Sequence, residues 1–420
     1  MMRLGVIADD FTGATDIASF LVQNGMTTVQ VNGVPAEPQS LEADAIVVSL
    51  KSRSCAADKA VEDSLAALTW LQQQGCERFY FKYCSTFDST AKGNIGPVTD
   101  ALLAALGETQ TILSPSLPVN GRTVYQGHLF VQDQLLSDSG MRHHPVTPMT
   151  DSNLLRLMEA QSQGKAGLIA SQTLDRGADA VREALAGLKE QGVRYVVLDA
   201  LNEQHLLTQG EAVCEMKLVT GGSGLAIGLA RQWASSTHNS EQAQAAGAPQ
   251  GERAVVISGS CSTMTNRQVA RYREQAASLA VDVERALEQR EAYALELCDW
   301  VAEQEQGLAP LLFATSEPEK LKRIQQKYGA EKSSEAVEQL FAAVVRELQQ
   351  RGWQRFIVAG GETSGVVAQT LSIDAFHIGP VISPGVPWVR AVSQPISLAL
   401  KSGNFGDENF FARAQQEFPL

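Results

Sequence analysis

Two carboxylates stand side by side where the first apolar run ends, in Ala8-Asp9-Asp10-Phe11-Thr12-Gly13-Ala14-Thr15-Asp16. The run itself, Leu4–Ala8, has the length and content of a short buried strand. In an open α/β sheet the carboxyl ends of the strands face the ligand crevice. Adjacent aspartates there can orient a hydroxyl, accept its proton or hold Mg²⁺. The competing reading is structural: Asp10 or Thr12 caps the following helix, Ala14–Gln23. A cap needs only one such residue, so the second aspartate favours chemistry. Two more strand ends carry cations and hydroxyls, Lys51-Ser52-Arg53-Ser54 and Lys82-Tyr83-Cys84-Ser85-Thr86-Phe87-Asp88-Ser89-Thr90. Arg53 and Lys82 at such positions suit a substrate bearing a carboxylate and hydroxyls, since a guanidinium grips a carboxylate bidentately.

The second half of the chain offers a different chemistry. Three apolar runs end in glycine with Ser or Thr: Val255 to Ser260, Phe356 to Gly365 and Leu398 to Gly406. Such turns expose backbone N–H groups with little side-chain obstruction and can cradle phosphate oxygens. Three of them point to one nucleotide pocket assembled from separate loops, with Gly360, Gly361, Thr363 and Gly403 at its wall. Glu362 would serve a metal ion or a ribose hydroxyl, and Lys401 would counter phosphate charge. Thr363 and Ser364 could cap a helix beginning near Gly365.

Familiar phosphate signatures are missing. No GxxxxGK[ST] occurs, and the eukaryotic-type kinase motifs are absent. Gly222-Ser223-Gly224-Leu225-Ala226-Ile227-Gly228 approaches a dinucleotide fingerprint, but its last glycine falls one residue late and no strand is expected before it. Helix packing accounts for it better. Ser114-Pro115-Ser116-Leu117-Pro118-Val119-Asn120-Gly121-Arg122-Thr123 is a shaped loop to which no chemistry is assigned. His143-His144 reads as surface loop.

The elements that must position these residues form two series. In the first, strands are expected at Leu4–Ala8, Ala45–Leu50, Phe79–Tyr83, Thr111–Ser114, Gly167–Ala170 and Tyr195–Leu198, with helices such as Ala56–Gln74 and Ala178–Gln191 between them. Residues 235–252 are polar and unpatterned and read as a linker. The second series expects strand Ala254–Ile257, helix Met264–Leu279, a strand near Val281–Val283, helix Leu287–Gln304, strand Leu311–Ala314, helix Glu335–Gln350, strand Phe356–Val358 and a loop-rich terminus. The fold class is thus α/β: two domains, 1–234 and 253–420, each a largely parallel sheet flanked by helices, with a ligand cleft between them.

Composition narrows the classes of partner. The formal net charge of −13 over 420 residues disfavours nucleic acid and anionic membranes. No 18 apolar residues run together, the N-terminus does not read as a secretory signal, and the six cysteines form no CxxC pair. A cytoplasmic protein is expected.

At the motifs IADDFTGATD, KYCSTFDST, AGGETSG and KSGNFGDENFF the chain resembles the four-carbon acid sugar kinase family along essentially its whole length. The resemblance implies a substrate-binding N-terminal domain and an ATP-binding C-terminal domain, with Ser258, the stretch Gly360–Thr363 and Gly403 contacting ATP. The implied reaction moves the γ-phosphoryl group to the terminal C4 hydroxyl of a sugar acid. The implied acid is 3-oxo-tetronate, with D-threonate and D-erythronate as alternatives; a non-catalytic nucleotide sensor is the competing class. In this scheme Asp10, or else Asp9, orients or deprotonates the hydroxyl. Arg53 and Lys82 hold the carboxylate or oxo group, and Mg²⁺ travels on the ATP phosphates. A homo-oligomer is compatible with this reading.

Overall fold

The computed structural model describes residues 3–36, 41–144, 146–234, 239–304, 307–314, 318–403 and 405–418. Asn404 of the third glycine turn and residues 235–238 of the expected linker lie outside them. The chain divides into two compact units, Met1–Ala243 and Gln244–Leu420.

The first unit contains strands β1 (Leu4–Ala8), β2 (Thr28–Asn32), β3 (Ala45–Ser49), β4 (Arg78–Lys82) and β5 (Thr111–Ser114), then β6 (Arg122–Tyr125), β7 (His128–Val131) and β8 (Gln134–Leu135), and finally β9 (Lys165–Ile169), β10 (Val193–Leu198) and β11 (Leu218–Gly221). Eight of them make a parallel series in the order β2-β3-β1-β4-β11-β5-β10-β9. All five residues of β1 and of β3 are buried, as continuous apolar runs covered on both faces should be. Register sets where the strands end. Ala8 aligns with Ser49 and with Lys82, Lys82 with Gly221, and Gly221 with Ser114. Five neighbouring strands therefore release their loops along one carboxyl edge. β6, β7 and β8 form a separate antiparallel sheet.

Several expectations need correction. β2 escapes a search for apolar runs because Gln30 sits in its middle, fully buried, accepting a hydrogen bond from Thr15 Oγ1 at 3.1 Å. β11 does precede the Gly222–Gly228 segment, and a helix, Gly224–Trp233, comes after it. The glycines there nonetheless serve packing. A Cβ on Gly228 would collide with the carbonyl of Leu206, and one on Gly210 with the backbone of Gly228, so helices Glu203–Val213 and Gly224–Trp233 meet backbone to backbone.

The second unit carries β12 (Ala254–Ser258), β13 (Ser278–Ala280), β14 (Leu311–Phe313), β15 (Arg355–Ala359), β16 (Ala375–Ser383), β17 (Val386–Ala391) and β18 (Ser397–Lys401). The order β13-β14-β12-β15-β18-β17-β16 is parallel as far as β18 and antiparallel from there through β17 to β16. The expected loop-rich terminus is thus a three-stranded extension ending in a helix, Phe410–Gln416. Pro380 and Pro387 disguise it: they lie where the β16–β17 register shifts, positions at which proline is tolerated. The helix expected over Met264–Leu279 stops at Tyr272, and the strand placed near Val281–Val283 lies at Ser278–Ala280. Within the expected linker, Ser240–Ala245 is helical, and Gln250 N donates to Ser397 Oγ at 2.9 Å.

Candidate active site

In the first unit the carboxyl edge brings together Asp9, Asp10, Asp16, Arg53 and Lys82. Asp10 is the N-cap of helix Phe11–Gln23 and accepts from Gly13 N through Oδ1 at 2.7 Å. The capping reading is therefore realised, without excluding the other: the side chain of Asp10 remains 32 % exposed against 7 % for Asp9. Asp9 is instead locked to Arg53, accepting from Nε at 3.0 Å and from Nη2 at 2.8 Å. Arg53 Nη2 also lies 3.1 Å from Asp10 Oδ1. Burial lifts the Asp9 carboxyl above its ordinary range against the pull of Arg53. The guanidinium expected to grip a substrate carboxylate is thus already held by two aspartates.

Lys82, the last residue of β4, is buried, and its Nζ donates to Tyr83 O at 2.7 Å. Glycine is required at position 13 in the facing helix: a Cβ there would crowd Asp10 Oδ1 and stand 3.2 Å from Lys82 Nζ. Asp16, one and a half turns along that helix, accepts from Ser223 Oγ at 2.6 Å. Its carboxyl is raised by burial and lowered by Lys82, then by Ser223 and, more weakly, by Arg122. Burial pushes the Cys84 thiol up to about 12, which disfavours the thiolate, and Cys84 Sγ accepts from Asp88 N.

In the second unit the glycine turns converge. Gly259 N and Ser260 N both donate to Ala359 O (3.0 and 3.3 Å), and Gly360 N donates to Lys401 O at 2.9 Å. Gly360 has φ 122°, a conformation that L side chains rarely adopt, and acts as N-cap of helix Gly361–Thr370 without a side-chain cap. The helix therefore starts at Gly361 rather than near Gly365, and the glycine turn is itself its N-terminus. Gly259, Ser260 and Gly360 to Thr363 line a cavity of about 320 Å³. Val283, Ile324 and Val337 supply an apolar wall, and Glu338 a carboxylate beside Glu362. Burial, then the hydrogen bond and charge of Glu362, hold the Glu338 carboxyl above the usual range.

Ser258 and Gly403 do not line that cavity. Ser258 ends β12, in register with Phe313 and Ala359, one residue before the lining begins. Gly403 packs on the first turn, where a Cβ would stand 2.7 Å from Ser260 Oγ. Lys401 is turned inward, donating to Thr265 Oγ1, Ser402 O and Gly403 O at 2.9–3.1 Å. It braces the third turn instead of reaching a phosphate, and burial lowers its ammonium to about 7.

Sequence reasoning missed Asn94, Asp16 and Glu338. Asn94 Nδ2 donates to the carbonyls of Ser52, Arg53 and Cys55 at 2.8–3.3 Å and so fixes the loop that carries Arg53. Nothing in its local sequence signals this. Asp16 closes the motif IADDFTGATD, and its place on the helix that Asp10 caps was the available signal.

Two family models match the chain: a sugar-binding N-terminal domain over residues 4–229 and a nucleotide-binding C-terminal domain over 255–411. With these at its two halves, the chain belongs to the four-carbon acid sugar kinase family. A 3-oxo-tetronate kinase of Pectobacterium atrosepticum is 71 % identical over 100 % of both chains, and one of Salmonella typhimurium is 63 % identical over 100 % of both. Among solved structures, a Salmonella typhimurium LT2 protein under the provisional description of a tRNA synthase superposes with a TM-score of 0.95, at 62 % identity and full coverage of both chains. A Haemophilus influenzae protein gives 0.90 at 53 % identity, covering 99 % of this chain and 100 % of its own.

Proposed function

We propose that this chain is an ATP-dependent sugar-acid kinase that phosphorylates the C4 hydroxyl of 3-oxo-tetronate. The observation that carries the reading is full-length identity of 55–71 % to several 3-oxo-tetronate kinases. The tRNA-related description weighs little against them, since a curated kinase from the same organism is 63 % identical over its whole length. A net charge of −13 also opposes binding of a polyanion.

Phosphoryl transfer asks chiefly for positioning and charge neutralisation, with attacking and leaving oxygens in line. The acceptor belongs to the carboxyl edge of β3-β1-β4-β11-β5. Asp10 there has one oxygen held by the helix N-terminus and offers the other to the C4 hydroxyl. That hydroxyl oxygen bonds to the γ-phosphorus as the bond to the β-bridging oxygen breaks, its proton passes to Asp10, and ADP departs. Asp9 and Arg53 hold Asp10 in place, and Lys82 faces the oxo group. ATP belongs to the cavity of the second unit, its base against Val283, Ile324 and Val337 and its phosphates at the N–H groups of Gly361 to Thr363. Glu362 would hold Mg²⁺ carried in on the phosphates, where the ion neutralises charge on the transferring group.

Incubation with Mg-ATP and a panel of C4 acids, followed by ADP release, tests the reading. Turnover with 3-oxo-tetronate is expected to exceed that with D-threonate and D-erythronate. ATP binding without ADP release on any acid would instead favour a nucleotide sensor.

A further inference from the structure

An anionic substrate needs a cation that the protein has not already neutralised, and Arg53 is not one. It faces Asp9 and Asp10 together, and Lys82 faces Asp16, so three carboxylates oppose two cations along this edge. Lys51 is exposed, where a charge contact contributes little. A further cation is Arg122, whose charge acts on Asp16, and the fold brings it to the same edge by a continuous path. Ser223 holds Asp16, and the glycines on either side of Ser223 sit on the loop after β5: a Cβ on Gly222 would stand 2.6 Å from Pro115 O, and one on Gly224 would strike Ser116 O. Leu117 then pairs with Arg122 through both backbone bonds, Leu117 N to Arg122 O at 2.8 Å and Arg122 N to Leu117 O at 3.1 Å.

This turn also carries two buried polar atoms with no internal partner, Ser116 Oγ and Arg122 Nε. Buried polar atoms are seldom left so in a native protein unless a ligand or water completes them. Arg122 makes one protein hydrogen bond with its guanidinium, Nη1 to Asn120 O at 3.0 Å, which fixes the group without neutralising it.

We propose that Arg122 is the carboxylate-recognition residue of the acceptor site: its guanidinium binds the C1 carboxylate of the four-carbon acid. Arg53 then acts as a positioning residue for Asp9 and Asp10. The assignment rests on the sugar-acid kinase reading and adds which residue sets the demand for an acid.

A substrate pair isolates the carboxylate. Erythrulose matches 3-oxo-tetronate except that CH₂OH replaces the carboxylate, so it keeps the C4 hydroxyl and the oxo group. Arg122→Met should lower kcat/KM on 3-oxo-tetronate by about 10- to 100-fold, as loss of a charge-assisted pair does, with erythrulose affected less than about 3-fold and the KM for ATP unchanged. Arg122→Lys should recover part of the loss on the acid, whereas Arg53→Met should depress both substrates alike. Retained erythrulose turnover shows that the variant folds. Equal losses on the two substrates, no loss on the acid, or a lysine variant no better than methionine would each overturn the proposal. A wild-type protein inactive on every C4 acid would sink the kinase reading itself, and this assignment with it.

Discussion

Asp10 has two duties that share one carboxylate. Its Oδ1 caps the first helix, so removing the side chain would cost stability as well as catalysis. Asp10→Asn separates the two, because the amide oxygen can still cap while it cannot accept the acceptor's proton. The variant is expected to lose about 10²-fold or more in kcat, in the range of general-base effects, with its melting temperature close to wild type. An unchanged kcat in steady-state assays would remove Asp10 from the chemistry. Sequence patterning offers cap and catalyst as alternatives, and only the geometry shows that the two are compatible. A linear pattern names side chains; it cannot say that Asp9 and Arg53 are one ion pair 44 positions apart. Glu338 makes a second demand at this scale. A carboxyl whose pKa is raised on folding binds its proton more tightly in the native state, so the contribution of Glu338 to stability is lost as pH rises from 4.5 through its raised value. Glu338→Gln should flatten that slope and leave the protein more stable than wild type at pH 7, as followed by urea denaturation across pH 4–8.

The elements were legible where burial is continuous. β1, β3, β4, β5, β10, β12, β14 and β15 announce themselves as short apolar runs, because parallel strands covered on both faces admit little else. Strands that carry a buried polar residue or prolines stay hidden: β2 has Gln30, whose Oε1 accepts from Thr15, and β16 and β17 have prolines at register shifts. Register was hidden too, and it is register that brings the carboxyl ends of β3, β1, β4, β11 and β5 to one edge. The contact between helices Glu203–Val213 and Gly224–Trp233 yields a prediction about stability alone. Gly228→Val has no room against Leu206 O and Gly210, and should cost about 1–3 kcal/mol, the usual range for overpacking. Its denaturation midpoint should fall while the KM for ATP is preserved.

Across the whole molecule, the two family models fall on the two compact units. The sugar-binding model stops at 229 and the nucleotide-binding model starts at 255, close to where the chain separates into compact halves at Ala243 and Gln244. Among the described residues no helix is long and apolar enough to cross a membrane. If donor and acceptor sites are separate, a non-hydrolysable ATP analogue should stabilise the Asp10→Asn and Arg122→Met variants as it does wild type. Saturation at 100-fold above Kd contributes about 2.7 kcal/mol, readable as a thermal shift, and loss of that shift in either variant would contradict the division. A kinase of this kind places the phosphate on the C4 oxygen of one particular acid. That placement is tested most directly by mixing equal 3-oxo-tetronate, D-threonate and D-erythronate with limiting Mg-ATP and examining the product by proton–phosphorus correlation NMR. The account predicts one dominant phosphomonoester, derived from 3-oxo-tetronate, with phosphorus coupled to the two C4 methylene protons. Phosphorus coupled to the single C2 proton, a dominant threonate or erythronate product, or no phosphomonoester at all would contradict it.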